Sequence, residues 1–82
     1  MEYQLVGLKL ISLPTTIIVE EQEVYGVSIV VFTGIVGQTY TGFQNSDEAF
    51  CPLDKTKSID ENELATQVFA TAFVAQKYPN TI

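Results

Sequence analysis

The chain has 82 residues, of which ten are acidic and four are lysine, and it contains no histidine, arginine or tryptophan. Histidine is the commonest metal ligand and the usual base near neutral pH, and arginine is the usual ligand for phosphate. The chain therefore lacks the main residues for metal binding, for general base catalysis and for phosphate binding. The net charge of −6 also argues against binding to nucleic acid or to an anionic membrane, because both attract basic surfaces.

Strand-forming residues fill the first half of the chain, and they predict two strands before residue 21. The first covers residues 3–13, where the apolar alternation changes phase near Gly7 and so predicts a β-bulge. Pro14 ends this strand, and a second, short strand is predicted over residues 15–20. The acidic stretch 21–23 then interrupts the apolar pattern and predicts a hairpin loop.

The third strand, over residues 24–33, has the strongest pattern in the chain. It is β-branched and apolar on both phases toward its end, which predicts a central strand covered on both faces. Gly34 is predicted to form a turn, after which residues 36–43 are predicted to pair back on the third strand. Residues 44–58 are rich in Asn, Ser, Asp, Pro and Lys, and they predict a long connection.

A C-terminal helix is predicted over residues 61–77. Asp60 with an acid three residues later predicts an N-cap, and Ile59 and Leu64 predict an apolar staple across that cap. Pro79 is expected to end the helix. The apolar face expected to pack on the sheet consists of Leu64, Ala65, Val68, Phe69, Ala72 and Ala75. The predicted fold is therefore α+β, with an antiparallel sheet of about four strands and one helix packed on one face.

Size and composition predict one globular domain over residues 1–82. Hydrophobic residues make up 46% of the chain and charged residues 17%, which is less charge than a typical soluble domain carries. A domain of this size has a thin core, and one cysteine offers neither an intrachain disulfide nor a thiolate cluster to strengthen it. We therefore expect the chain to bind a protein partner, first of all a second copy of itself in a homodimer.

Several sequence features favour a cytoplasmic protein. Glu2 stands where a signal peptide would carry positive charge. The most apolar stretch, residues 24–37, is interrupted by glycine and hydroxyl side chains and is shorter than the roughly 20 residues of a membrane helix. The lone cysteine and the absence of an Asn-X-Ser/Thr acceptor fit a reducing compartment.

Nine of the ten acidic residues fall in three clusters, within residues 20–23, 47–54 and 60–63. The last cluster lies in the predicted first helical turn, where the helix dipole favours acids. The first is most simply a solvated loop, although loops also carry contacts with other molecules.

Five residues are candidates for contact with another protein. Phe73 and Val74 are predicted toward the edge or outer side of the helix, where they would form an exposed apolar patch. Glu20, Glu21 and Glu23 are the second candidate, as an acidic loop.

No catalytic, cofactor-binding or metal-binding residues are predicted. Cys51 has no histidine to activate it and is expected to be a buried thiol. Segment 54–60 alternates oxygen ligands as a calcium loop does, but Ile59 and Ala65 occupy the places of the required glycine and acid. The glycine-rich stretch 34–42 lacks a phosphate-binding arrangement. A carboxylate pair alone could catalyse hydrolysis, but so short a chain offers little room for a substrate cleft.

The sequence therefore predicts a small acidic protein-binding or regulatory module that associates with itself and is not an enzyme. One alternative is an acidic inhibitor that imitates the charge of nucleic acid, as small phage or mobile-element proteins do, and it requires a continuous stripe of carboxylates. A second alternative is a small-ligand-binding or accessory subunit of an enzyme complex.

Overall fold

A computed structural model of the protein describes residues 2–37 and 44–79. Its elements, in chain order, are β1 (Tyr3–Leu10), β2 (Thr15–Val19), β3 (Gln22–Ile35), β4 (Asn45–Pro52) and α1 (Ile59–Lys77). The strands form one antiparallel sheet and the helix packs on one face of it. This arrangement confirms the predicted α+β fold.

β3 is the centre of the sheet because the other three strands all pair with it. β4 lies along one edge of β3, over residues 26–33, while β1 and β2 follow one another along the opposite edge. The central position predicted for this strand is confirmed. Its coverage differs from the prediction, because α1 covers one face only, and Ser28, Val30 and Phe32 on the other face are half buried.

The predicted bulge in β1 is present. The register of β1 on β3 shifts between Leu5 and Gly7, so Val6 is an extra residue. As a result Leu5 and Leu8, which lie on opposite phases of the sequence alternation, both pack against the core beneath the helix. β1 ends at Leu10, before the predicted residue 13.

The fourth strand lies where the sequence predicted a connection. The predicted strand over residues 36–43 falls mostly outside the described residues, and its first two residues, Val36 and Gly37, form a turn. Gly34, the predicted turn residue, is instead buried within β3 opposite Gln4.

Polar composition explains why β4 was not predicted as a strand. Asp47 and Glu48 stand in its middle and Pro52 at its end. β4 is an edge strand, and charged residues and proline are tolerated on such edges because they discourage pairing with other chains. The predicted connection over residues 44–58 therefore shortens to the segment between Pro52 and the helix.

β2 and β3 are joined by a two-residue turn at Glu20 and Glu21. Both residues have positive φ, 51° and 65°, as the central residues of a type I′ turn do. The predicted hairpin loop is confirmed, but it begins one residue earlier, and Gln22 and Glu23 belong to β3. Side chains other than Asn, Asp and Gly are disfavoured in this conformation, so the turn is strained.

Relief of this strain is expected to stabilise the protein. Glu20→Asn together with Glu21→Gly should raise the free energy of unfolding by about 1–2 kcal/mol, because both new residues tolerate positive φ. Urea denaturation followed by circular dichroism measures the change. The matched control is Glu20→Gln with Glu21→Gln, which removes the charges and keeps the strain. An equal gain in that control would show that charge repulsion, rather than backbone conformation, destabilises the turn.

The core lies between α1 and the face of β3 that points toward it. Its buried apolar residues are Val27, Ile29, Val31, Cys51, Ala70 and Val74. The helix presents the small side chains of Thr66 and Ala70 to the sheet, so its backbone can lie close to β1 and β3. Phe69 and Phe73 flank this line and complete the core.

The helix begins earlier than predicted because Ser58, rather than Asp60, is the N-cap. The Ser58 hydroxyl oxygen accepts a bond from the Glu61 amide at 3.1 Å, and the hydroxyl donates to Glu61 Oε1 at 3.2 Å. The predicted staple is not formed, since Ile59 is the first helical residue and is exposed. The C-terminal prediction is confirmed, because the helix ends at Lys77 with Tyr78 as its cap.

Candidate protein-contact surface

The structure places the predicted contact residues Phe73 and Val74 on the core side of the helix. Val74 is 3% exposed and Phe73 is half buried against the core. Neither residue offers the exposed apolar patch that the sequence predicted.

The predicted packing face of α1 points largely away from the sheet. Leu64 is 63% exposed and Val68 is 62% exposed, and the alanines of the same face are exposed as well. Only Phe69 of the predicted set packs against the core. The helix is thus rotated by about half a turn from its predicted orientation.

The rotation has a physical reason that periodicity does not reveal. Apolar side chains surround α1 almost evenly, so the sequence does not select one face. Thr66, Ala70 and Val74 pack against the sheet, because small side chains along this line let the helix approach it closely. The larger Leu64 and Val68 are left on the outside.

The acidic candidates lie at the far end of the sheet. Glu20 and Glu21 form the tip of the β2–β3 hairpin, and Glu23 follows in β3, where it pairs with Ile18. This position is open to contact with other molecules, because all three glutamates are exposed.

The second acidic cluster, within residues 47–54, lies on and just beyond β4. Asp47 and Glu48 are consecutive residues of β4, and their side chains point to opposite faces of the sheet. Asp54 lies beyond the end of β4 and accepts bonds from the amide and hydroxyl of Thr56, at 2.8 and 2.6 Å. Asp47 and Glu48 therefore cannot both belong to one stripe of carboxylates on a single face of the sheet.

A polar cluster holds the C-terminal end of α1 against β1 and β4. Asp47 Oδ1 accepts a bond from Lys77 Nζ at 2.7 Å, and Asp47 Oδ2 accepts from the Tyr78 hydroxyl, also at 2.7 Å. The Tyr78 ring packs against Tyr3 of β1, with 5.3 Å between ring centroids. Sequence reasoning missed this cluster, because Asp47 lies 30 residues or more from each of its partners and shares no motif with them.

The cluster makes stability depend on pH. The bond from Lys77, and then that from Tyr78, lower the pKa of Asp47, while the Asp47 carboxylate raises the pKa of Tyr78. A lowered pKa means that the contribution of Asp47 is present above its unfolded pKa of about 4 and is lost as the pH falls through the folded value. For Tyr78, whose pKa is raised, the contribution is present below the unfolded pKa of about 10 and is lost as the pH rises through the folded value.

Asp47→Asn is therefore expected to remove part of the acid sensitivity. At pH 7 the free energy of unfolding should fall by roughly 1 kcal/mol, and the decline between about pH 5 and pH 3 should become shallower than in the wild type. Glu48→Gln, on the other face of the same strand, is the matched control and should keep the wild-type profile. If the free energy of unfolding fell equally steeply with pH in the wild type and in Asp47→Asn, the assignment of the acid sensitivity to Asp47 would be contradicted. Urea denaturation across this pH range measures both.

Cys51 is buried in the core, as predicted. Burial raises the pKa of its thiol, and its sulfur lies 3.9 Å from the Thr66 hydroxyl oxygen. A thiol in this environment is a poor nucleophile. Within residues 2–37 and 44–79, no three Cys, Asp or Glu side chains are grouped so that they could hold a metal ion.

Exposed apolar residues occur along β1 and on the side of α1 that points away from the sheet, among other places. Two grooves of about 500 and 340 Å³ lie between β1 and α1, and a third of about 470 Å³ is lined by α1 alone; all three share Gln67 as a lining residue. We call this surface the β1–α1 flank. It comprises the outer edge of β1 and the helix residues Leu64, Gln67, Val68, Thr71, Ala72 and Ala75. The only charged residue in β1 is Lys9, and Glu63 of the helix lines the groove of about 500 Å³.

Among the residues that the structure describes, no helix combines the length and the apolar character needed to cross a membrane. Comparison of the chain with protein-family models, with curated proteins and with solved structures gave no match.

Proposed function

We propose that the protein is a small, acidic, non-catalytic protein-binding or regulatory module of the cytoplasm, and that it associates with itself. The β1–α1 flank is the observation that supports this proposal. Contiguous apolar surface on a small domain indicates contact with another molecule, whereas single exposed apolar residues do not. The lone cysteine and the absence of a glycosylation acceptor support the cytoplasm.

The balance between core and surface supports self-association. Among the described residues the buried apolar set has six members, whereas these ten large apolar residues are exposed: Val6, Leu10, Ile11, Leu13, Ile18, Val19, Val36, Ile59, Leu64 and Val68. A domain with this distribution gains stability when a partner removes part of its exposed apolar surface from water.

Light scattering on a size-exclusion column tests self-association. At micromolar concentration the expected mass is twice the 9.1 kDa of one chain. A mass of one chain across the micromolar range would contradict the proposal.

A further inference from the structure

We propose that the groove of about 500 Å³ between β1 and α1 binds a small organic ammonium ion, whose apolar body lies in the groove and whose ammonium group lies at Glu63. We call this site the β1–α1 groove. The inference goes beyond self-association and does not require it. It follows from the lining of the groove, from the hydrogen bonds of its polar residues and from the placement of charge in the chain.

The β1–α1 groove has an apolar lining that reaches the core. This lining consists of Leu8, Leu10, Pro14, Val27 and Ile59. Val27 is 2% exposed and belongs to the core, whereas Leu10 and Ile59 are 58% and 85% exposed and lie at the mouth of the groove. Clefts of roughly 300–1,000 Å³ with an apolar lining and a few polar groups are typical of small-molecule sites. A ligand with an apolar body therefore gains affinity by removing exposed apolar side chains from water.

Two of the four polar residues that line the groove already have side-chain partners within the chain. The Asn62 side chain accepts a bond from the Asp54 amide at 3.3 Å and donates one to the Asp54 carbonyl oxygen at 3.0 Å. The Thr66 hydroxyl donates to the Asn62 carbonyl oxygen at 2.8 Å. The side chains of Glu63 and Gln67, by contrast, have no partner among residues 2–37 and 44–79. They are four residues apart on the helix, so both can contact the same group of a ligand.

None of the lysines of the chain pairs with the Glu63 carboxylate. The chain has four lysines and no arginine or histidine, and none of the four lines the groove. Three of them have partners elsewhere: Lys57 on Glu61, Lys77 on Asp47 and Lys55 on the ring of Tyr25. Lys9 is paired with Val30, whose side chain lies on the face of the sheet away from the helix, so Lys9 points to that face as well. A cationic ligand therefore reaches Glu63 without displacing an ion pair of the described chain.

Charge favours an ammonium ion over other amphiphiles in this groove. Among the described residues Glu63 is the only charged one in its lining, and the chain has a net charge of −6. A carboxylate amphiphile is repelled by Glu63 and by the field of the whole chain, whereas an ammonium ion is attracted by both. The ammonium group also donates charge-assisted hydrogen bonds to the Glu63 carboxylate and to the side-chain carbonyl oxygen of Gln67. A neutral amphiphile gains from the apolar lining alone.

Three probes of equal chain length test the site: n-octylammonium, n-octanol and octanoate. Titration at pH 7, followed by two-dimensional amide NMR spectra, measures the dissociation constant of each. Octylammonium should bind with a dissociation constant below about 1 mM and at least about 5-fold more tightly than octanol, and octanoate should bind most weakly. Decylammonium should bind roughly 10-fold more tightly than octylammonium, because the groove buries the two added methylenes.

Glu63→Gln should abolish the advantage of octylammonium over octanol and leave the affinity for octanol unchanged, because only the charge is removed. The matched control is Glu61→Gln. Glu61 also lies in the first turns of the helix, but it pairs with Lys57 and does not line the groove. This control should keep the wild-type preference for octylammonium. Glu63 is exposed, so both variants should keep the wild-type circular dichroism spectrum.

The same spectra locate the bound probe. Octylammonium should shift the amide signals of Leu8, Leu10, Glu63 and Gln67 most strongly, and shifts confined to β4 or to the β2–β3 hairpin would overturn the site. Equal affinity of the wild type for octylammonium and octanol, or no binding of any probe, would overturn it as well. Equal losses in Glu63→Gln and Glu61→Gln would show that the net charge, rather than Glu63, attracts the ammonium ion. Light scattering tests self-association without a probe, so failure of the groove and failure of self-association are distinguishable.

Discussion

Replacement of Gly26 with alanine is expected to destabilise the protein by about 3 kcal/mol or more, close to the full stability of a small domain. Gly26 lies in β3 opposite Pro52. A Cβ atom there would overlap the backbone carbonyl oxygen of Cys51 and lie 2.8 Å from Cε2 of Phe50. The Phe50 ring can rotate away, but the Cys51 backbone cannot move without loss of the pairing between β3 and β4. Urea denaturation followed by circular dichroism measures the change.

Gly7→Ala is the matched control for this substitution. Its Cβ would lie 3.4 Å from Cδ2 of Phe32, which is ordinary van der Waals contact. The change in the free energy of unfolding should therefore stay below about 1 kcal/mol. Equal losses in Gly7→Ala and Gly26→Ala would mean that any side chain added to the sheet is harmful and that the close approach at Gly26 is not the cause.

Ile29→Ala is expected to have the second large effect. Ile29 is 0% exposed and lies in the middle of β3 beneath the helix. Its truncation removes buried apolar atoms and leaves a cavity, which costs about 2–5 kcal/mol. The core is small, so the variant should be partly unfolded at room temperature, which thermal denaturation would show.

Ile18→Ala provides the comparison for the core substitution. Ile18 belongs to β2 and is 67% exposed, so the same change of side chain should reduce the free energy of unfolding by less than about 1 kcal/mol. If Ile18→Ala were as damaging as Ile29→Ala, the hairpin would have to be packed against something other than the described core.

Features that depend on neighbouring residues could be predicted from the sequence. The phase change around Gly7 predicted the bulge, and the β-branched run predicted the central strand. Both follow from the alternation of side chains along one strand, which indicates the face that is apolar. The end of the helix before Pro79 followed from proline's effect on the preceding residue.

Features that depend on distant parts of the chain could not be predicted. The strand β4 was not predicted, because Asp47 is typical of a loop in the sequence. Only the folded helix brings Lys77 and Tyr78 to its carboxylate. The orientation of α1 was not predicted, because Leu64 and Ala70 are both apolar. Only contact with the sheet determines which of them packs against it. The acidic hairpin was foreseen, whereas the β1–α1 flank arises from this rotation of the helix.

The position of β3 links the two sides of the sheet thermodynamically. Among the described strands, β1, β2 and β4 each pair with β3 and with no other strand, so no strand pair persists once β3 detaches. Opening of the sheet is then a single cooperative event, and any molecule bound to the folded chain opposes all of it. A molecule bound at either edge of the sheet therefore stabilises the pairing at both edges against every opening in which β3 itself detaches.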